Sequence, residues 1–135
     1  MAWTNSKIFM AFLEDVFENT TAMDTNSDTF KNALYDNDIT PSQTVTSANS
    51  AYNVDQWVTT GNEVSEAGQW ATGGVALASV TSAFSSNVYT FDAADTASGS
   101  AADLANVNGC LIYDDTVAAP VADQGRVLFV LRRRQ

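Results

Sequence analysis

From residue 75 onward the chain is a series of short β-branched and aromatic runs, each ended by residues that turn a backbone. That pattern most narrows what it can fold into. Val75-Ala76-Leu77-Ala78-Ser79-Val80-Thr81 sets Val, Leu and Ser on one face against Ala, Ala and Val on the other. Val88-Tyr89-Thr90-Phe91-Asp92 is β-branched and aromatic, and Gly109-Cys110-Leu111-Ile112-Tyr113 is apolar throughout until Asp114-Asp115 stops it. The Ala/Asp/Ser/Gly stretch 93–103 reads as a loop. Pro120 breaks the chain, Asp123-Gln124-Gly125 turns it, and 126–131 makes a last strand. Upstream, Thr29-Phe30-Lys31-Asn32-Ala33-Leu34-Tyr35 is a strand closed by Asp36-Asn37-Asp38. Strand signals separated by short turns predict a mainly β chain, an antiparallel β-sandwich or barrel-like domain.

One helical signal precedes the strands. Ile8, Phe9, Phe12, Leu13, Val16 and Phe17 recur at helical spacing, with Lys7, Glu14, Asp15 and Glu18 on the other side. Thr4 is placed to cap the first turn, Trp3 and Ile8 to form a hydrophobic staple, and Asn19-Thr20-Thr21 to end it. The spacing predicts an N-terminal amphipathic helix over 3–19. Its stripe either packs on the chain's own sheet or docks in part onto a neighbouring subunit, since six large apolar residues exceed what a short terminal helix needs. Between helix and later strands, 39–53 is rich in Ser, Thr and Asn and predicts a surface excursion. Trp57 and Val58 begin the next ordered patch, and glycines punctuate the region around Trp70. At 135 residues the chain fits one domain. It divides into the helix, a β-rich body over 29–131 and a basic tail over 132–135.

Charge is unevenly spread. Sixteen Asp and Glu face six Lys and Arg, a net of −10. All sixteen acids and only Lys7 and Lys31 fall in residues 1–125, a net of −14, while Arg126, Arg132, Arg133 and Arg134 give the end +4. A body that negative repels nucleic-acid backbone and anionic membrane, so neither is an expected partner. Glu14 and Asp15 interrupt the apolar run that a leader segment would need, and no stretch approaches a bilayer span. Cys110, the one cysteine, reads as a small buried hydrophobe at the start of a strand.

The residues that commonly carry chemistry are missing or misplaced. The chain has no histidine. That removes Ser-His-Asp and Cys-His arrangements, which need a group titrating near neutrality, and the common zinc sites. Asp24-Thr25-Asn26-Ser27-Asp28 copies the first five positions of an EF-hand loop, but Thr29 stands where a glycine makes the sharp turn. Tyr35 stands where a bidentate Glu belongs. A polar turn explains it better. Asp114 and Asp115 could pair as catalytic carboxylates only if both pointed into one site, which turn residues after a strand do not. Tyr52, Trp57, Trp70, Tyr89 and Tyr113 could stack on sugars or bases; with so few cations nearby, core or interface packing is the better reading. No cofactor, metal or small-molecule substrate is expected.

The order of segments resembles a known group of proteins. Ala2-Trp3-Thr4-Asn5-Ser6-Lys7-Ile8-Phe9 leads to Lys31-Asn32-Ala33-Leu34-Tyr35-Asp36-Asn37, Ile39-Thr40-Pro41 and Ser50-Ala51-Tyr52-Asn53. Then come Gly61-Asn62-Glu63-Val64-Ser65, Gly73-Gly74-Val75-Ala76-Leu77, Phe91-Asp92-Ala93-Ala94-Asp95-Thr96 and Gly109-Cys110-Leu111-Ile112-Tyr113-Asp114-Asp115-Thr116. Over 1–125 this looks like the small virion structural proteins, minor capsid or decoration type, of actinobacterial tailed bacteriophages. The resemblance implies a β-rich accessory protein without catalytic residues. It implies a virion location and, as partners, the major capsid protein or other virion proteins. Relatives run on past the equivalent of residue 125 into further strands, whereas here the last strand meets Arg132-Arg133-Arg134-Gln135. An exposed sheet edge there favours a homo-oligomer. The expected role is a capsid accessory protein reinforcing the shell, with a tail or connector component, or a host-glycan-binding module, as the alternatives. The expected partner contacts are Ile8, Phe9, Phe12, Leu13, Val16 and Phe17 of the helix, Trp57 and Trp70, and Arg132, Arg133 and Arg134 of the tail.

Overall fold

Strand β2 (Phe30–Tyr35) and strand β7 (Gly109–Ala118) pair antiparallel over six residues and form the centre of the molecule. The computed structural model describes residues 6–18, 23–46, 49–99, 103–118 and 125–132. Around the central pair a six-stranded antiparallel sheet assembles in the order β1-β8-β7-β2-β3. Its outer members are β1 (Lys7–Ile8), β8 (Gly125–Arg132) and β3 (Glu63–Val64), with β4 (Val75–Ala76) alongside β2. Strands β5 (Thr81–Ser85) and β6 (Val88–Asp92) make a separate hairpin. The chain is therefore mainly β and antiparallel, as its pattern predicts. The described residues form no closed sheet.

Period-two alternation gives the main sheet two covered faces. One face carries Ala33, Tyr35, Leu111 and Tyr113, and on it pack Phe9, Ile39 and Trp57. Trp57 meets Phe9 and Tyr35 edge to face at 5.8 and 5.2 Å, and its carbonyl accepts the Tyr35 hydroxyl at 2.8 Å. The opposite face carries Phe30 and Ile112, covered by Leu77, Val80 and Phe91. Phe91 of β6 meets Phe30 edge to face at 5.2 Å and so lays the hairpin's base over the sheet.

Several boundaries differ from the expected ones. The helix α1 spans Met10–Glu18 rather than 3–19, because Lys7 and Ile8 pair as a strand with Val130 and Phe129. The cap at Thr4 and the staple at Trp3 lie outside the described residues. The expected strand over 75–81 is interrupted in its middle: the Leu77 amide still donates to the Phe30 carbonyl at 2.8 Å, but Ser79 turns the backbone at φ 51° before β5 begins at Thr81. Strand β7 runs through Asp114-Asp115 to Ala118, because Asp114 sits in register with Arg126 and, after a bulge over 115–117, Ala118 pairs with Gly125. The segment 39–53, expected as a surface excursion, instead helps wall one side of the core, with Ile39, Pro41, Ser50 and Ala51 buried, and Trp57, expected to begin an ordered patch, is buried beyond it. Gln56 bonds Ser42 through both its amide atoms (2.9 and 3.2 Å), and Gln43 O accepts the Met10 amide at 3.0 Å. Its apolar residues are irregularly spaced, so periodicity does not reveal them.

Two turns depend on unusual backbone. The hairpin turns at Ser86-Asn87, both at positive φ (51° and 65°), as a tight two-residue connection demands. Gly74 has φ +76°, and a Cβ there would fall 2.1 Å from the Asn32 carbonyl oxygen.

Trp57→Ala is expected to cost about 3–5 kcal/mol, the range for emptying an aromatic core site. Phe17→Ala, on the exposed side of α1, is expected to stay within about 0.5 kcal/mol. Urea denaturation of both variants checks the contrast; equal losses would contradict this core.

Candidate interaction surface

Helix α1 has no acidic residue in its first turn and no basic residue in its last, so side-chain charges do not support its dipole. Packing holds it instead: Phe9 and Ala11 are buried, and Phe12 and Leu13 are half-buried. The other apolar side chains face outward. Ile8, Met10 and Val16 are exposed, and Phe17 is 84% exposed. A second exposed apolar group stands on the hairpin, where Phe84 (71% exposed) lies directly across from Tyr89 (58%), with Val88 beside them.

This geometry sorts the expected contact residues. Ile8, Val16 and Phe17 are available to a partner, and Phe12 and Leu13 are partly so. Phe9, Trp57 and Trp70 are not, because the chain's own core absorbs them. Arg132 ends β8, and Arg133 and Arg134 lie outside the described residues. Met10, Phe84, Val88 and Tyr89 were not among the expected contacts. The period of two puts Phe84 and Tyr89 on the same hairpin face as Phe91 and puts Val88 on the other; all three lie nearer the turn than the Phe91 contact that seats the hairpin's base, which local pattern does not reveal. Of the aromatic residues considered for stacking, Tyr89 alone is exposed; Tyr52 is half-buried, and Trp57, Trp70 and Tyr113 are buried.

The loop 24–28 supports the hairpin. Its carboxylates serve its own backbone: Asp24 Oδ1 accepts the Asn26 amide at 2.9 Å, and Asp28 Oδ2 accepts the Asp24 amide at 2.6 Å. The Asn26 amide accordingly holds Asp24 below the usual carboxylate range, helped by the Ser27 side chain. This is the polar turn its sequence suggests. No three acidic, Cys or His groups converge for a metal among the described residues. Thr25 Oγ1 bonds Ser82 Oγ and the Tyr89 hydroxyl, each at 2.7 Å, and Asn26 Oδ1 accepts the Ser82 amide at 3.0 Å.

Two buried polar groups flank the core. Tyr52 and Tyr113 stack at 4.6 Å with rings 5° from parallel. The Glu63 carboxylate accepts the Tyr52 hydroxyl at 2.8 Å and the Gly73 amide at 2.7 Å, while the Tyr113 hydroxyl donates to the Gly73 carbonyl at 2.7 Å. Burial raises the pKa of Glu63 against the lowering pull of these two donors, and burial raises both tyrosines. Both carboxylate oxygens are engaged, so the group clamps β3, the turn at Gly73 and β7 together.

Asp114 and Asp115 point to opposite faces of β7, which separates them as a catalytic pair. Asp115 meets Lys31 at 2.8 Å at the surface, where such a pair contributes little. Asp114 is fully buried, its Oδ1 accepting the amides of Thr116 (2.8 Å) and Val117 (3.2 Å). Burial pushes its carboxyl up to about 6 despite those two amides, and the Asp28 carboxyl pushes it the same way.

Comparison with protein-family models, curated proteins and solved structures returned no match. Among the described residues no helix is long and apolar enough to cross a membrane.

Tyr52→Phe leaves Glu63 one donor short and is expected to cost about 1–2 kcal/mol, the scale of a partly solvated bond to a charged group. Urea midpoints measure it, and an unchanged midpoint would show the clamp to be idle. Asp114 binds its proton more tightly folded than unfolded. Its contribution is therefore full below the ordinary value of 3.8 and lost as pH rises to about 6. A loss on the order of 2 kcal/mol over that window is expected, and Asp114→Asn is expected to remove it. Denaturation midpoints at a series of pH values decide; the same slope in the variant would contradict this.

Proposed function

We propose that this chain is a structural accessory protein of a tailed-phage particle, seated on the outer capsid shell and reinforcing contacts between major capsid subunits. What carries the reading is the pairing of an acidic chain, net −10, with two outward apolar groups: Ile8, Met10, Val16 and Phe17 at and before α1, and Phe84, Val88 and Tyr89 on the hairpin. Large aromatics left in water on a highly charged chain favour docking over solitary life, since each becomes stabilising only when something covers it. The order of segments shared with virion proteins supplies the choice of partner. The net charge opposes association in bulk and leaves a specific shell surface as the place where these side chains are buried. The basic end, from Arg126 to the arginines past β8, suits acidic groups on a neighbouring subunit or on a second copy of this chain.

Burying one such aromatic contributes roughly 1.5–3 kcal/mol, so Phe17→Ser and Phe84→Ser are each expected to weaken binding to shells by about tenfold or more. Their melting temperatures should stay near that of the unaltered chain. Sedimentation of the variants with assembled shells, together with imaging of intact particles, tests this. Density for the chain on the tail alone would move it to a tail or connector role, and shell binding indifferent to both substitutions would remove the proposed docking side chains.

A further inference from the structure

The chain has one Asn-Gly step, Asn108-Gly109, and the fold sets it at a corner where three strands end together. Gly109 opens β7, and its register partners are Tyr35, the last residue of β2, and Arg132, the last residue of β8. Tyr35 O accepts the Asn108 amide at 2.9 Å, so the end of the ladder falls on the step itself. The Asn108 side chain is half-buried and folds back, its Nδ2 donating to Asn106 O at 2.8 Å. That carbonyl belongs to a turn in which Asn106 holds φ 66°. Seated in this way, the carboxamide is restrained from turning onto the nitrogen that follows it.

We propose that Asn108 is a self-modification site, gated by fraying of this corner, at which the chain converts its own asparagine to aspartate or isoaspartate. When the corner opens, the Gly109 nitrogen bonds to Asn108 Cγ and gives up its proton. The Cγ–Nδ2 bond breaks, Nδ2 leaves as ammonia, and a succinimide ring remains. Water then adds to one of the ring's carbonyl carbons. Addition at Cγ yields aspartate; addition at the Asn108 backbone carbon yields isoaspartate, with the main chain rerouted through the side chain. Nothing is oxidised or reduced, and water is the co-reactant. Glycine favours ring closure because no side chain crowds its nitrogen and its backbone turns freely.

Strand ends are where a ladder opens at least cost, and here the neighbours on both sides end at the same level. The next candidates are weaker. Asn26-Ser27 and Asn49-Ser50 carry a side chain on the attacking residue, and Asn26 Oδ1 is held by the Ser82 amide and hydroxyl at 3.0 and 2.9 Å. The change at Asn108 does not reverse. An aspartate carboxylate has no hydrogen to give Asn106 O and sets a negative charge against it. Isoaspartate inserts a methylene into the main chain immediately before β7, so positions 108 and 109 no longer both fit opposite Tyr35. Either product loosens the end of the β2–β7 pair, which carries both cores. The site stands apart from the docking reading, because its chemistry needs no partner.

Timed incubation of the full chain in water enriched in heavy oxygen tests this, in mildly alkaline native buffer and in concentrated urea, with peptide mass mapping afterwards in ordinary water. In native buffer the peptide holding 108–109 is expected to take up label before any other. Its rate should be about ten- to a hundredfold below that in urea, the factor of a local opening. Exposure through global unfolding alone would slow it about a thousandfold or more. Asn108→Gln keeps a donor for Asn106 O but must close a larger ring, and is expected to take up no label at this position over the same period. Aged chain, separated by its extra negative charge, is expected to unfold at lower urea than fresh chain. Asn108→Asp should share that shift; if it does not fold, the aged chain carries the same reading. Label appearing first at Asn26 or Asn49, or at Asn108 only at the globally unfolded rate, overturns the gated site. So does a native rate equal to that in urea, since the corner would then restrain nothing. An unchanged urea midpoint in the aged chain overturns the loosening of β7.

Discussion

The six-residue pairing of β2 with β7 is the constraint on which the remaining structure rests. Its register sets Ala33 beside Leu111 on one face and Asn32 beside Ile112 on the other, so a single ladder determines two cores at once. A slip of one residue would exchange Tyr35 and Tyr113 for Leu34 and Asp114 and undo both. The rest of the sheet adds short pieces to this pair. Strands β3 and β4 follow one another along β2, and the two-residue β1 closes the far side against β8. β1 covers only two of the eight residues of β8, so most of that strand's outer edge has no strand partner among the described residues.

The strands were legible wherever the side-chain period was clear. β2, β6 and the start of β7 lie where alternation or an unbroken apolar run puts them, because a pleated ladder needs nothing beyond local pattern. What failed depended on distant partners. Lys7-Ile8 belongs to a helical stripe by spacing, yet becomes a strand because β8 arrives from the other end of the chain to pair with it. Asp114-Asp115 looks like a stop signal, yet continues β7 because Asp114 finds the amides of Thr116 and Val117, and Asp115 finds Lys31. The segment 39–53 has a surface composition and a core position, decided by a few unevenly spaced apolar residues that meet Trp57 and its neighbours.

The same limit governs the contact residues. Aromatic content announces that something will be covered, not by what. Trp57 and Trp70 met the chain itself, while Phe17 and Phe84, no different in kind, met solvent. Only the layout of the fold separates them, since Phe9 and Ala11 take the inward places on and before α1 and leave no room for Phe17 on that side.

A hairpin tied to the body by Phe91 and by a polar loop has few apolar contacts to hold it, and such elements open at low free-energy cost. The polar ties run through Thr25 and Asn26, and their loop is anchored on β7 where Thr29 bonds the Asp115 amide and the Thr116 hydroxyl. Phe84 and Tyr89 project from the free end of that hairpin, and their register partnership keeps them together whether or not the base is seated. A partner that covers them gains little if the hairpin must first be ordered, and more if it is already held.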